Sequence, residues 1–130
     1  NALLKNNLST AIHDFVNKLS NKELLVHVYT EGLDEKLDSN VETVLYRVIQ
    51  ECVHNAIKHA GAGTLDISLI RDKDGISGTI EDNGKGFDTS QVVKGNGLDN
   101  MQYRAAELKG SLQVKSETGK GTTINLRVPV

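Results

Sequence analysis

The chain has 130 residues, 38% of them hydrophobic, 25% charged and 4% aromatic, with a formal net charge of −2 at pH 7. That length and apolar share support one domain with one modest core, and the near-neutral charge with few aromatic rings excludes a basic, base-stacking nucleic-acid surface. No apolar run is long enough to cross a bilayer and no charged-then-apolar leader is present, so this segment is expected to be soluble and to make no membrane contact of its own, whatever anchor a parent protein carries.

Leu4, Leu8, Ile12, Phe15 and Leu19 share one side of a helix predicted over Leu3–Leu19, which sets residues 1–20 apart from a main domain over residues 21–130. Glu23–Thr30 reads as a strand that ends in a turn at Gly32. Asn40–Ala60 is predicted to be a long amphipathic helix, with Val44, Leu45, Val48, Ile49, Cys52, Val53, Ala56 and Ile57 on one buried stripe. Beside that stripe Glu51, Asn55 and His59 follow at i, i+4 and i+8 with Lys58 adjacent, so an acid, an amide, an imidazole and a cation share one edge. The same pattern suits an ordinary solvated flank. Cys52, the single cysteine, falls on the stripe and is expected to be a core group, with no disulfide partner and no metal cluster to lead.

Thr64–Arg71 and Ile76–Asp82 read as a hairpin turned by Asp72-Lys73-Asp74-Gly75. At its end Asp82-Asn83-Gly84-Lys85-Gly86-Phe87 sets a carboxylate before two glycines. A carboxylate fixed at a strand end can accept from an exocyclic amine, and glycines let the backbone pass close to a flat ring; the same residues also make a common polar turn. The stretch Asp88–Asn96 has polar and glycine ends in Thr89, Ser90, Gly95 and Asn96 around Val92 and Val93, and flexibility is expected there. Gly95-Asn96-Gly97-Leu98 opens a second helix, in which Leu98, Met101, Ala105 and Leu108 keep helical spacing until Gly110. Free N–H groups and the positive dipole end suit a phosphate there, although glycines before a helix are also normal capping. Ser111–Glu117 and Thr122–Val128 form another hairpin around Gly119-Lys120-Gly121-Thr122-Thr123, and Pro129 stands where a missing N–H matters least. The fold class is α+β, a two-layer sandwich whose mixed, mostly antiparallel sheet carries helices on one face.

Taken in order, these elements resemble the catalytic and ATP-binding domain of sensor histidine kinases, in the wider group that includes type II topoisomerases, mismatch-repair MutL proteins and a heat-shock chaperone. Glu51-Cys52-Val53-His54-Asn55-Ala56-Ile57-Lys58-His59-Ala60 resembles the N box of that family, Asp82–Phe87 its G1 box, Gly95–Leu98 its G2 box and Gly119–Thr122 its G3 turn. Gly97-Leu98-Asp99-Asn100-Met101-Gln102-Tyr103-Arg104-Ala105 and the short lid Asp88–Asn96 are similar to the nitrate-sensor-like branch. The resemblance covers about Leu37 to Val130.

The resemblance implies a Bergerat-type fold, ATP and Mg2+ as ligands, and transfer of the γ-phosphate to a histidine on a dimerisation and phosphoacceptor domain, for signalling to a response regulator. It implies cytoplasmic placement. Asn55, a hard neutral oxygen ligand, is expected to hold magnesium that otherwise binds phosphates and water. Glu51 could orient a metal-bound water or act as general base; with a histidine acceptor it is expected to help polarise or position that imidazole. Lys58 and His59 are expected at phosphate oxygens, Lys58 with a charge independent of local pH. Asp82 is expected to accept the adenine amine, Gly84 and Gly86 to give the ring room, Gly95, Gly97 and Leu98 to meet the phosphates, and Thr122 to lie beside Asp82.

The phosphoacceptor segment is expected to be absent. His13-Asp14 lacks the Arg-rich lead of that motif, since Leu8-Ser9-Thr10-Ala11-Ile12 precede it, so His13 reads as a surface residue of the first helix. That helix is then the edge of the domain or its connection to the missing hairpin. His27 and His54 read as structural, and His13, His27, His54 and His59 have no metal-ligand spacing. The chain is expected to be an excised domain that binds Mg-ATP and transfers phosphate only when given its helical partner. Two alternatives share the boxes, an anti-sigma-factor-type serine kinase and a nucleotide-sensing module without transfer; Met101-Gln102-Tyr103-Arg104-Ala105 disfavours the first, and intact Glu51, Asn55 and Asp82 disfavour decay.

Overall fold

The computed structural model describes residues 7–19, 24–33, 37–57, 63–86 and 98–129. Among them the order is α1 (Leu8–Leu19), β1 (Leu25–Glu31), α2 (Ser39–Asn55), β2 (Thr64–Arg71), β3 (Gly75–Asp82), α3 (Leu98–Glu107), β4 (Ser111–Ser116) and β5 (Thr122–Pro129). The strands form a 5-stranded sheet in the order β1-β2-β3-β5-β4. Only the β1–β2 pair is parallel; the other pairs are antiparallel, so the sheet is mixed as expected.

Alternation in the strand sequences decides which face the helices cover. In β3, Ile76, Gly78 and Ile80 are buried while Ser77, Thr79 and Glu81 are exposed. The ladder then builds apolar rows across four strands, Leu69–Gly78–Leu126–Leu112 and Ile67–Ile80–Ile124–Val114. These rows meet the buried sides of α1, α2 and α3 in one core. The other face carries Tyr29, Asp66, Thr79, Glu81, Gln113 and Lys115, all exposed.

The long helix α2 begins at Asp38, whose Oδ1 accepts the Asn40 N–H at 2.9 Å and satisfies one of the otherwise orphaned donors of the first turn. Glu42 lies on the apolar stripe and is 1% exposed. Its Oε2 is 3.4 Å from the Leu37 N–H, whereas Oε1 is buried with no hydrogen-bond partner among the described residues. At the other end the α-form stops at Asn55 and a π turn follows at Ala56 and Ile57, with the Ala56 N–H shared by the Cys52 and Val53 carbonyls. The predicted helix is thus α-form to Asn55 and π-form at Ala56 and Ile57, and Ile57, expected on the buried stripe, is 41% exposed. Lys58, His59 and Ala60 lie outside the described residues.

Packing of α1 follows from its pattern. Leu8, Ala11, Ile12 and Val16 are buried in the common core. Phe15 meets the rings of Tyr46 and His54 on α2 edge-on, at centroid distances of 5.8 and 6.4 Å. The strand predicted over Glu23–Thr30 is described over Leu25–Glu31, with Leu24 entering the core and Leu25 facing outward; Glu23 lies outside the described residues. No helix among the described residues is long and apolar enough to cross a membrane.

Candidate functional site

The apolar rows end in a polar one. Two residues beyond Ile67, Ile80, Ile124 and Val114, the same ladder pairs Leu65, Asp82, Thr122 and Ser116. All four share the helix-covered face, because side chains two residues apart on a strand point the same way. Asp82 and Thr122 are therefore direct cross-strand neighbours, as expected. The chain holds Asp82 through its own side chain as well, since Oδ1 accepts the Gly84 N–H at 2.9 Å. A carboxylate offers about four acceptor positions, so this bond leaves capacity for a ligand.

Asn83, for which the sequence suggested no separate role, locks the strand exit. Its Oδ1 accepts the Gly63 and Thr64 N–H groups at 2.8 and 2.9 Å, and its own N–H reaches the Thr64 carbonyl at 3.3 Å. The end of β3 is thereby clasped to the start of β2. The signal was an asparagine at a turn, a residue type whose side chain satisfies nearby backbone groups, but its partners follow only from the strand pairing.

The turn between β4 and β5 closes on the same place through backbone. Gly119 donates its N–H to the Lys85 carbonyl. Gly86 has φ 65° and Gly121 has φ 79°, both in the left-handed region. A Cβ at Gly86 would strike the Glu117 carbonyl, and one at Gly121 would strike the Asp82 carbonyl. The close approach at Gly86 is thus made by the neighbouring turn. Ser116 Oγ lies 3.0 Å from the Gly121 carbonyl and 2.8 Å from Thr122 Oγ1, which ties the threonine hydroxyl to β4, the fourth strand of the row.

On the helix side Glu51 and Asn55 are half-buried in the last turns of α2. Between them Cys52 is 4% exposed, and its thiol is pushed up to about 12, first by burial and then by the charges of Glu51 and Asp82. The buried side of α2 and the apolar rows of β3 share one core, so the last turns of α2 lie on the same side of the sheet as Asp82. The thiol stays protonated and serves as packing, with Sγ 3.5 Å from Met101 Sδ on α3. This contact joins α2, the helix bearing Glu51 and Asn55, to α3. Gly95 and Gly97 lie outside the described residues, as does the Leu98 side chain at the head of α3. His13 is exposed on α1, His54 packs on Phe15, and His27 Nδ1 is 2.9 Å from Asp66 Oδ1 on the open sheet face.

Comparison with known proteins agrees with this layout. Residues 40–130 match the model of the histidine kinase-, DNA gyrase B- and HSP90-like ATPase family. The chain belongs to that family. It is 34% identical over 107 residues to the oxygen sensor histidine kinase NreB of Staphylococcus carnosus, covering 81% of this chain and 31% of that protein. It is 36% identical over 100 residues to the signal transduction histidine-protein kinase/phosphatase DegS of Brevibacillus brevis, covering 76% of this chain and 26% of that protein. The chain thus spans about a third or less of these curated relatives. Among solved structures, the ATP binding domain of PrrB from Mycobacterium tuberculosis superposes with a TM-score of 0.70 at 25% identity, covering 94% of this chain and 90% of that one. The histidine kinase domain of the Erythrobacter litoralis EL346 blue-light activated kinase gives a TM-score of 0.74 at 17% identity, with 94% and 58% covered, and shows the shared fold. The chain is a histidine-kinase-type ATPase catalytic domain, and its fold implies ATP binding.

Proposed function

We propose that this domain binds Mg-ATP and transfers the γ-phosphate to a histidine on a phosphoacceptor domain of the same kinase, for relay to a response regulator. The observation that carries this reading is the polar row Asp82–Thr122–Ser116 ending the apolar sheet on the face that packs against α2, the helix bearing Glu51 and Asn55. Asp82 accepts the adenine amine with the capacity its bond to Gly84 leaves, and Thr122 stands next to it. Gly84 and Gly86 keep the loop close, Lys58 and His59 bind phosphate oxygens, and Gly95, Gly97 and Leu98 present N–H groups at the head of α3. Glu51 polarises or positions the acceptor imidazole. Helix α1 forms the edge of the catalytic domain, whose main body is residues 21–130.

The donor set fits magnesium of the substrate-borne kind. No group of three or more His, Cys, Asp or Glu suited to a metal occurs among the described residues, so their contribution is the amide oxygen of Asn55, with phosphates and water completing the shell. When bound, the ion neutralises charge on the phosphates.

Two measurements test the reading. Asn55→Ala should remove the magnesium-dependent part of ATP binding; equal loss with and without metal contradicts its role. Full-length kinase incubated with radiolabelled ATP should acquire acid-labile, base-stable label. Acid-stable label on a partner serine favours a serine kinase, and ATP binding with no label favours a sensor.

A further inference from the structure

The open face of the sheet carries a row of charge that nucleotide binding does not use. Across β1, β2 and β3 the ladder sets His27, Asp66 and Glu81 side by side. Like charges directly opposite on an antiparallel pair, with Cβ atoms about 4.5–5.5 Å apart, are destabilising. His27 Nδ1, 2.9 Å from Asp66 Oδ1, engages one oxygen of the pair. The Glu81 carboxylate makes no hydrogen bond or ion pair with another described residue. The described cations of that face are elsewhere: Arg127 is taken up by Asp72 and Ser77, and Lys115 stands two strands away in the same row, beyond Thr123.

Two residues along, the next row is Tyr29, Ser68 and Thr79. Small side chains at Ser68 and Thr79 leave a hollow between Tyr29 and the carboxylate pair, lined by all of these residues. Tyr29 is 55% exposed and directs its hydroxyl to Glu31 Oε1 at 3.4 Å, on the side away from Asp66. The hollow thus offers an aromatic wall, two carboxylates and small hydroxyls, with no Lys or Arg of its own. Its complement is a planar cation: a guanidinium forks onto carboxylate oxygens and lays its face on an aromatic ring, which a compact ammonium does less well. We propose that this hollow is a docking site for an arginine side chain of a partner protein, received by Asp66 and Glu81 with its plane against Tyr29. His27 holds Asp66 in place for it. The site lies on the face away from the helices, so it does not depend on how the nucleotide is bound, and a partner seated there leaves the helix-covered face untouched.

The test is an amide chemical-shift titration of the whole chain with a capped Gly-Arg-Gly peptide, with its lysine and citrulline counterparts, and with magnesium chloride alone. The arginine peptide should move the resonances of Tyr29, Asp66, Thr79 and Glu81 saturably. The lysine peptide should bind more weakly, and the neutral citrulline peptide and magnesium should leave those resonances in place. Glu81→Gln should weaken the arginine peptide roughly fivefold, about what one exposed charge pair contributes, with Mg-ATP affinity unchanged. Tyr29→Leu should narrow the preference for arginine over lysine. The absence of saturable shifts at these residues overturns the proposal, as do equal shifts from the citrulline peptide, which describe a nonspecific surface. Equal binding of the lysine peptide or of magnesium describes a general cation site and overturns it too. So does a Glu81→Gln chain that binds the arginine peptide as the unaltered chain does, or that loses Mg-ATP affinity along with it.

Discussion

Two aspartates at opposite ends of β3 begin with the same local chemistry and finish with different capacity. Asp72 Oδ1 accepts the Asp74 N–H at 2.8 Å, and Asp82 Oδ1 accepts the Gly84 N–H at 2.9 Å, each two residues along the chain. Asp72 goes on to accept the Gly75 N–H at 2.9 Å and two bonds from the Arg127 guanidinium at 3.1 and 3.2 Å. Its carboxyl is held down at about 2, chiefly by the Arg127 hydrogen bond and then by the Asp74 N–H. Asp82 has no cation partner among the described residues, and its end of the sheet is braced by backbone instead. One carboxylate is consumed by the hairpin it closes. The other is positioned by its surroundings but left with acceptors to spare, which is what recognition of a donor on a ligand requires.

The largest expected effect comes from breaking the backbone brace at the Asp82 end. Gly121→Ala combines a left-handed φ with a Cβ in the Asp82 carbonyl, and should cost on the order of 2–3 kcal/mol of stability. Gly119 shares the positive φ, at 84°, but a Cβ there meets nothing within 4 Å. Gly119→Ala should cost only about 1 kcal/mol. Denaturant unfolding of both variants separates close approach from conformation, and equal losses would remove the contact at Asp82 from the explanation.

Next in size is the Asn83 clasp. Asn83→Ala withdraws the acceptor from two N–H groups and should lower stability by about 1–2 kcal/mol, with weaker ATP binding as Asp82 loses its anchor. Asn83→Asp retains an oxygen for both bonds and should recover most of the loss. Failure of that rescue would mean that the amide nitrogen, not Oδ1, holds the strand end.

The smallest effect belongs to the opposite end. Because the folded-state value of Asp72 is depressed to about 2 from an ordinary 3.8, its contribution is fully present above 3.8 and is lost as pH falls through 2. Arg127→Met should flatten the acid limb of the stability curve in that window while leaving ATP affinity unchanged. A change in ATP affinity would show that the two ends of β3 are not independent.

Much of this arrangement is legible in the residues. Alternation in Ile76–Asp82 and Thr122–Val128 gave the strands and their buried face, and the order of Asn55, Asp82, Gly95 and Thr122 gave the family. What escaped depends on relations the chain order does not display. Ile57 keeps the helical period on paper, yet it stands 41% exposed just past the end of the α-form at Asn55. Glu42 also fits the apolar stripe, yet a carboxylate there reads as solvated until the fold buries it. Asn83 and Ser116 act across strand pairs, so their roles appear only when the ladder register is known. The Glu117 carbonyl stands where a Cβ at Gly86 would lie, a contact between two turns far apart in sequence that the residues alone do not display.

The most direct measurement is a calorimetric titration of Mg-ATP into this chain and into Asp82→Asn. The unaltered chain should bind, and the amide, which sets a donor against the adenine amine, should weaken binding by on the order of 1–3 kcal/mol. Equal affinity in the two proteins, or no binding in the first, would contradict the assignment of this sheet end to the adenine base.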